Sequence, residues 1–413
     1  MLHRSRNGRF SAVSEAQCPS RPPFHADERR GRARIDITCG FPADHIGDGM
    51  NIGIIGLPAT GKTTLFNLLT GAQAETHRFA GGESGPNIGV TVVPDPRLDS
   101  LRDIYQPKKT IHATLDIVDV AGMIPGAAKE QGFSPQLLAA LRNVDALVHV
   151  VRDFDDATIP HPAGSLDPAR DVESVELELM LADLTIIEKR LENMEMERKK
   201  KGIIDKGVRE SEMQLLSRLK GCLENEKPLR NVDLSFDEKF MLRGFTFLSL
   251  KPSILVLNRD EHSITFPEPE PFVRLARQKR LPYLSLSARI EEEISQMTAD
   301  EAGEFLCDLG IDKPARDRLI RLIYESLQLI PFFTVGKDEC RAWTITSGDT
   351  AHTAAGKIHS DLARGFIRAE VVAFDHLIES GSWAAAKAAG HLRLEGRDYL
   401  VQDGDCLEIR FSV

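Results

Sequence analysis

The chain has 413 residues, 42% hydrophobic and 28% charged, so it is long enough for two or three domains with proper cores. Its formal net charge of −10 excludes a general attraction to nucleic acid, so any RNA contact must be local. No apolar run approaches the length of a membrane-spanning helix. The six cysteines are scattered without a C-x-x-C pair, which argues against a zinc site or a disulfide framework. That pattern fits a reducing cytosol, and we expect a cytoplasmic protein without a membrane partner.

Residues 1–49 differ from the rest of the chain. They contain eight Arg and no Lys, with little apolar periodicity, and cannot bury enough surface to offset their ordering entropy. They also lack the apolar centre of a secretory signal. Two interpretations stay open, a disordered extension or a misplaced start codon. We favour the second because Met50 directly precedes the first predicted strand.

From Met50 the chain alternates strands, loops and helices. Buried strands are predicted by the apolar runs NIGII, TLDIVDVAG, DALVHVV, PSILVLN and LPYLSLSA, and TTLFNLLTG predicts a helix after the first of them. Strands that alternate with helices imply a mostly parallel, doubly wound α/β sheet. We place this nucleotide domain at residues 50–330.

A helical hairpin is predicted to interrupt that domain at about residues 171–245. Apolar residues recur there at three- and four-residue steps: Leu177, Leu181, Leu184, Leu191 and Met194, then Leu215, Leu219 and Leu223. Two amphipathic helices in antiparallel contact fit this spacing. The basic run at residues 198–201 lies at the hairpin tip, either as a solvated turn or as a partner-binding edge.

A last domain is predicted at residues 331–413. ECRAWTIT, GFIRAEVVAF and CLEIRFSV read as strands, and TAAGKIHSDLARG as one helix between the first two. The segment has nine bases and twelve acids, a net charge of −3. Its arginines Arg364, Arg368, Arg393 and Arg397 form either a local RNA patch or part of a protein-contact or hinge surface.

The stretch GLPATGKTT carries the pattern G-x-x-x-x-G-K-T between a predicted strand and a predicted helix. In such a loop, backbone N–H groups and a helix N-terminus face the phosphates of a nucleotide. Lys62 adds a positive charge at the β and γ oxygens, and the Thr63 hydroxyl ligates Mg²⁺. The residues expected around the phosphates are Gly56, Pro58, Ala59, Thr60, Gly61, Lys62, Thr63 and Thr64.

The sequence DVAG lies at the carboxyl end of the predicted strand TLDIVDVAG. Asp119 can hold Mg²⁺ through water there, and the Gly122 N–H can sense the γ-phosphate. In Ras-like GTPases the next residue is a glutamine that orients the attacking water. Here it is Met123, which is apolar, so the catalytic role must move elsewhere.

The run NRDE stands where GTPases carry N-K-x-D, whose Asp reads guanine. Its fourth residue, Glu261, is one methylene longer, so its carboxylate would miss the guanine-reading position. Adenine is therefore favoured, read through Asn258 and the backbone at Arg259, with Ser287 and Ala288 closing over the base. A GTPase of the same class stays as the alternative.

Taken together, GLPATGKTTLFN, PNIGVTVVPDPRLDSL, DIVDVAGMIPGA, LRNVDALVHVVRDF and NRDE resemble the Obg-like ATPase family called YchF, from residue 50 to 413. The resemblance implies a Ras-like P-loop domain with an inserted α-helical coiled-coil hairpin and a C-terminal β-grasp (TGS) domain. It also implies ATP and Mg²⁺ as cofactors. The ribosome or a ribosomal subunit is the implied partner, with RNA contact through the TGS domain or the hairpin, no DNA, and a role in translation or stress response.

The same resemblance implies a histidine in place of the missing glutamine. In family members this histidine lies on a loop beyond the strand after D-x-x-G. The stretch DATIPHPAG matches that loop, so the resemblance assigns a catalytic role to His161, alongside Lys62. The alternative is an exposed loop residue with no role.

Three positions depart from the family pattern. The family's phosphate-loop Asn, linked to activation by monovalent cations, is Ala59. The Thr that completes the Mg²⁺ shell falls on Glu83, whose carboxylate could serve as a ligand. KGEGLGN reads KEQGFSP. Nucleotide binding is expected to survive these changes, which leave open a slow ATPase that a partner completes, or an adaptor that binds ATP with little hydrolysis.

Overall fold

The computed structural model describes residues 50–71, 87–119, 135–156, 158–200, 206–311 and 313–412. The predictions for residues 1–49, and those for Glu83, Gly122 and Met123, lie outside this part of the chain. Within it, no helix combines the length and the apolar character needed to span a membrane.

Six strands of the first half form a doubly wound sheet, as predicted. In chain order, the strands described up to residue 286 are β1 (Met50–Ile55), β2 (Asn87–Val92), β3 (Lys109–Ile111), β4 (Thr114–Asp119), β5 (Ala146–Asp153), β6 (Ser253–Arg259) and β7 (Tyr283–Leu286), of which β3 belongs to a second sheet. The sheet order is β2-β4-β1-β5-β6-β7, and every pairing is parallel except that of β2 with β4. β5 and β6 are buried along almost their whole length, which explains their continuous apolar sequences.

Helices cover both faces of this sheet. The α-helices described between residues 62 and 326 are α1 (Lys62–Thr70), α2 (Pro96–Tyr105), α3 (Pro135–Arg142), α4 (Pro168–Lys200), α5 (Lys206–Glu224), α6 (Phe236–Leu242), α7 (Glu270–Lys279), α8 (Ala288–Ile294), α9 (Ala299–Asp308) and α10 (Ala315–Ser326). On one face, α1 and α10 pack on inward-pointing residues such as Ile54 and Val148. On the other, α3 and the start of α4 pack on residues such as Leu147. The sheet therefore has a packed core on each side.

The predicted hairpin is present as α4 and α5. Its core joins Met180, Ile187 and Met194 of α4 to Leu215 and Leu219 of α5, among others.

Two residues of the predicted apolar stripe, Leu177 and Leu181, are instead 43% and 46% exposed. The first turns of α4 pack on the sheet through Val175 and Leu179, and the helix turns to α5 only afterwards. In the first half of α4, the apolar stripe predicted from residue spacing therefore marks an exposed face of the helix. It does not mark the face that packs on the sheet.

Buried carboxylates of α4 bind the segment between α5 and β6. Glu176, which is 1% exposed, pairs with Arg230 in the turn after α5. Asp183 accepts hydrogen bonds from the Leu248 N–H at 2.9 Å and from the Ser249 N–H and hydroxyl, both at 2.7 Å. The base of the hairpin is therefore held by polar contacts in addition to apolar packing.

The last part of the chain forms a second sheet. Its elements are β8 (Leu329–Thr334), β9 (Glu339–Thr346), α11 (Ala351–Ile358), α12 (Ser360–Arg364), β10 (Phe366–Ala373), α13 (Phe374–Ser380), α14 (Trp383–Ala388), β11 (Arg393–Glu395) and β12 (Asp405–Phe411). The one helix predicted after β9 is two, because His359 between them is extended and its ring accepts the Asp361 N–H to begin α12.

A strand of the nucleotide half completes this second sheet, whose order is β11-β10-β12-β8-β9-β3. β3 runs parallel to β9, and Leu98 and Leu101 of α2 pack with Phe333 of β8. Arg97 at the start of α2 binds Asp403 at 2.9 Å. The boundary at residue 331 stays a prediction, and the second sheet is built partly from residues 109–111.

Candidate functional site

Four parallel strands bring the predicted site residues to one edge of the first sheet. β1 leads into the phosphate loop, and β4 ends at Asp119. β5 leads into the loop with His161, and β6 contains Asn258. In parallel sheets of this type, ligands bind beyond the carboxyl ends of the strands. The topology therefore places these four segments at the usual ligand edge.

The phosphate loop has a backbone that only small residues permit at two positions. Gly56 has φ +144°, and a Cβ there would lie 2.3 Å from the Val150 carbonyl oxygen of β5. Gly61 has φ +93°, and a Cβ there would lie 2.3 Å from the Asn258 amide nitrogen. Ala59 also has a positive φ, of 59°, a conformation that Asn and Gly tolerate better than Ala. Both motif glycines are thus required for the close approach of the loop to β5 and β6.

Lys62 begins α1 and turns its side chain back over the loop. It is 6% exposed, and its Nζ donates to the Leu57 carbonyl oxygen at 2.6 Å. Burial lowers the pKa of Lys62 to about 8, although the Asp119 carboxylate acts in the opposite direction. Because the effect of burial on the pKa exceeds that of the Asp119 carboxylate, the positive charge of the ammonium is not fully compensated within the protein. The ammonium is therefore suited to an anionic ligand such as phosphate.

Thr63 and Asp119 meet beside that lysine. The Thr63 hydroxyl lies 3.4 Å from Asp119 Oδ2, and Asp119 is 1% exposed. A hydroxyl and a carboxylate are the hard oxygen ligands that Mg²⁺ prefers, with phosphate oxygens and waters supplying the remainder. No group of three or more His, Cys, Asp or Glu in the described ranges could hold a metal. With two oxygen ligands, Thr63 and Asp119 fit a Mg²⁺ ion whose other ligands are phosphate oxygens and waters.

Asn258 joins the phosphate loop to the far side of the site. Its Nδ2 donates to the Thr60 carbonyl oxygen at 3.0 Å, and its Oδ1 accepts the Ala288 N–H at 3.0 Å. These two bonds leave one amide hydrogen and one lone pair of Asn258 for a base. Ser287, which precedes α8, is buried, and its hydroxyl has no hydrogen-bond partner within the described ranges.

Arg259 and Glu261 of the NRDE run have partners that the sequence did not indicate. The Arg259 guanidinium donates to Asp153 at 3.0 Å and to the carbonyl oxygens of residues 266 and 267, so it fixes the loop after β6. Glu261 Oε1 lies 2.8 Å from Arg289 Nε, off the line of an ideal hydrogen bond. Arg289 was missed because it lies on α8, twenty-eight residues beyond Glu261, where no motif marks it.

His161 is not an exposed loop residue. Its side chain is 7% exposed, and Nδ1 accepts the Ala163 N–H at 3.1 Å. Nε2 lies 2.9 Å from Oδ2 of Asp171, at ion-pair distance but bent away from an ideal hydrogen bond. Both ring nitrogens therefore face groups of the protein in this structure. Asp171, in the first turn of α4, is a second residue that sequence reasoning missed.

Two family models match the chain. One, YchF-GTPase_C, described as a protein of unknown function, matches residues 329–412. The other, described as a 50S ribosome-binding GTPase, matches residues 51–203. The first covers almost all of the second sheet, and the second runs from β1 into the hairpin.

Curated relatives match over their whole length. The ribosome-binding ATPase YchF of Haemophilus ducreyi is 42% identical over 369 residues, which are 88% of this chain and 100% of that protein. The protein of the same name from Bacillus subtilis is 40% identical over 368 residues, with the same coverage.

A solved structure agrees with the fold. The Schizosaccharomyces pombe YchF GTPase superposes with a TM-score of 0.78 at 30% identity, covering 89% of this chain and 99% of that one. The predicted α/β P-loop fold with a further C-terminal domain is thereby confirmed. Identities of 40–42% over the full length of these relatives, a matching C-terminal family model and this superposition agree with one another. The chain belongs to the YchF family.

Proposed function

We propose that this chain is a cytoplasmic, Mg²⁺-dependent ATPase that associates with ribosomes. The observation that carries the proposal is the buried Lys62 at the start of α1, whose charge is not fully compensated, with Thr63 and Asp119 beside it. The relatives from Haemophilus ducreyi and Bacillus subtilis, which match over their full length, are both named ribosome-binding ATPases.

The loop would bind the triphosphate through its backbone. Residues 56–64, apart from Pro58, which has no N–H, supply amide hydrogens at the N-terminus of α1, and Lys62 would exchange the Leu57 carbonyl oxygen for phosphate oxygens. Thr63 and Asp119 would hold Mg²⁺, which when bound neutralises charge on the phosphate oxygens. Lys62 then stabilises the charge that develops as the terminal phosphoryl group is transferred to water.

Orientation of the attacking water falls to His161 in this proposal. A neutral imidazole can accept a proton or a hydrogen bond from water at physiological pH. Turnover of His161→Ala should therefore fall by about 10²-fold or more while ATP affinity stays within about twofold. Unchanged turnover would remove His161 from the mechanism.

The base end of the site favours ATP over GTP. Glu261 is one methylene longer than the guanine-reading Asp of GTPases, and Arg289 lies against its carboxylate. GTP is the second candidate, because the Schizosaccharomyces pombe relative is named a GTPase. Calorimetric titration of the full chain with each nucleotide and Mg²⁺ should give at least about tenfold tighter binding of ATP. Tighter binding of GTP would overturn the assignment.

The surface that meets the ribosome is proposed to be the hairpin. In the C-terminal domain, Arg364 pairs with Asp361, and Arg393 contacts Asp405 at 3.2 Å. Such pairing reduces the positive potential that an RNA contact through that domain would need.

Co-sedimentation with purified ribosomes, with the basic run at 198–201 changed to serines, tests the hairpin assignment. Retained binding by this variant would contradict it. Phosphate release with and without ribosomes separates a switch ATPase from an adaptor, for which neither reaction would exceed background.

A further inference from the structure

The loop that carries His161 is fastened to the first turn of α4. The Arg170 guanidinium donates to the Ser165 carbonyl oxygen at 2.7 Å and to the Ser165 hydroxyl at 2.9 Å. The same guanidinium donates to Asp171 Oδ1 at 2.8 Å and 3.1 Å. Asp171 thus has one oxygen on Arg170 and the other facing His161, and its side chain is 3% exposed.

The other end of the loop is held by β5. Arg152, which is 1% exposed, donates to the carbonyl oxygens of Phe154 and Ile159, both at 3.0 Å. The Gly164 N–H closes a turn onto the His161 carbonyl oxygen at 2.9 Å. The loop is therefore fixed on both sides of His161, and the ring is packed into the protein.

These contacts define the state of the ring. Nδ1 accepts the Ala163 N–H, so it carries no proton, and the neutral ring has its proton on Nε2, facing Asp171. A ring in this state has no nitrogen available to a water molecule. An imidazole that orients water needs such a nitrogen, so the arrangement is a resting one.

We propose that Asp171 is a positioning residue that latches His161 away from the reacting water, and that turnover requires this contact to open. The proposal rests on the catalytic role proposed above for His161. Asp171 belongs to the same 33-residue helix as the hairpin core residue Met194. At 1.5 Å per residue, roughly 35 Å of continuous helix joins them. A partner that binds the hairpin and tilts α4 would therefore act directly on the latch.

Asp171→Asn, which keeps the side-chain volume and removes the charge, tests the latch. Its turnover without ribosomes should rise about three- to tenfold, because a neutral amide attracts the protonated Nε2 of His161 less than the carboxylate does, while ATP affinity is unchanged. Stimulation by added ribosomes should shrink by the same factor. Glu173→Gln removes an exposed charge from the same turns of α4 and should leave both rates unchanged. The double variant with His161→Ala should turn over as slowly as His161→Ala alone.

The outcomes separate the latch from the catalytic role. If His161→Ala is slow but Asp171→Asn equals the wild type, the latch alone is wrong. If Asp171→Asn is slow as well, Asp171 supports the active ring instead of restraining it, which also overturns the proposal. If His161→Ala is as fast as the wild type, the catalytic role and the latch fall together.

A measurement on the unaltered chain does not depend on how the variants fold. In ¹⁵N-histidine spectra, with His161→Gln as the assignment control, the His161 ring should show a protonated Nε2 and an unprotonated Nδ1 in the absence of nucleotide. A ring that averages between tautomers, as exposed histidines do, would contradict the latch.

Discussion

Replacing Lys62 by Met should abolish ATP binding and yet stabilise the nucleotide-free protein. Methionine keeps much of the buried side-chain volume and removes the ammonium group. The charge is costly because the side chain is 6% exposed, and burial outweighs the Asp119 carboxylate. Replacing a charged residue that is buried for ligand binding removes the free-energy cost of burying its charge. Such a trade-off between stability and function is common at ligand-binding sites.

The magnitude follows from the pKa of Lys62. It is lowered from 10.5 to about 8. At about 1.4 kcal/mol per unit, the charged form destabilises the folded chain by about 3 kcal/mol. In Lys62→Met, the loss of the hydrogen bond to the Leu57 carbonyl oxygen offsets about 1 kcal/mol of the stability gained by removing the charge. The net gain of about 2 kcal/mol should raise the midpoint of thermal unfolding by roughly 2–3 °C in a chain of this length.

The stability gained by Lys62→Met depends on pH. Because the folded-state pKa is lowered, the destabilisation is complete below about pH 8 and disappears as the pH rises towards 10.5. Scanning calorimetry of both proteins across this range should show the advantage of Lys62→Met shrinking with pH. ATP at a hundredfold excess over its dissociation constant should stabilise only the wild type, by about 2.7 kcal/mol.

Lys251 supplies the matched control. It is also buried, with a pKa lowered mainly by burial, and it donates to the carbonyl oxygen of Arg142 at 3.1 Å, away from the phosphate loop. Lys251→Met should keep the full response to ATP. A Lys62→Met variant that is less stable than the wild type at pH 7, or that ATP still stabilises, would refute this prediction.

Four further substitutions test the site and the hairpin by thermal unfolding and ATP titration. Gly61→Ala should lose at least about tenfold in ATP affinity. The control Gly71→Ala, also at positive φ but with open space around it, should cost only about 1 kcal/mol of stability. Equal effects of the two substitutions would contradict the role of the contact between residue 61 and Asn258. Asn258→Ala should cost about 2–3 kcal/mol, because it leaves two buried backbone groups unpaired, and a cost under about 1 kcal/mol would contradict this. Ala59→Gly should stabilise by about 0.5–1 kcal/mol through relief of its positive φ, and destabilisation would count against strain there. Glu176→Gln should cost about 3–5 kcal/mol by unpairing a buried arginine, and a neutral result would mean that this pair does not hold the hairpin.

The parts of the fold that local sequence determines were predictable. A continuous apolar run predicts a strand buried on both faces, and β1, β5 and β6 are such strands. The phosphate loop was predictable because its glycines, lysine and threonine act within nine residues of one another.

Features that depend on distant partners were not predictable. The strand β3 pairs with β9 more than two hundred residues later, and its three residues show no strand pattern of their own. Asp171 reads as an ordinary acid at a helix start, and only the fold places it against His161. The exposed positions of Leu177 and Leu181 follow from α4 packing first on the sheet and then on α5, a change of partner that spacing does not reveal.

A crystal structure of the chain with Mg²⁺ and a non-hydrolysable ATP analogue tests the central claim most directly. The account predicts the phosphates within hydrogen-bond distance of backbone N–H groups of residues 56–64 other than Pro58, and Lys62 Nζ moved from the Leu57 carbonyl oxygen to a phosphate oxygen. It also predicts Mg²⁺ between Thr63 and Asp119. A nucleotide bound elsewhere, or a Lys62 side chain that keeps its contact with Leu57, would contradict it.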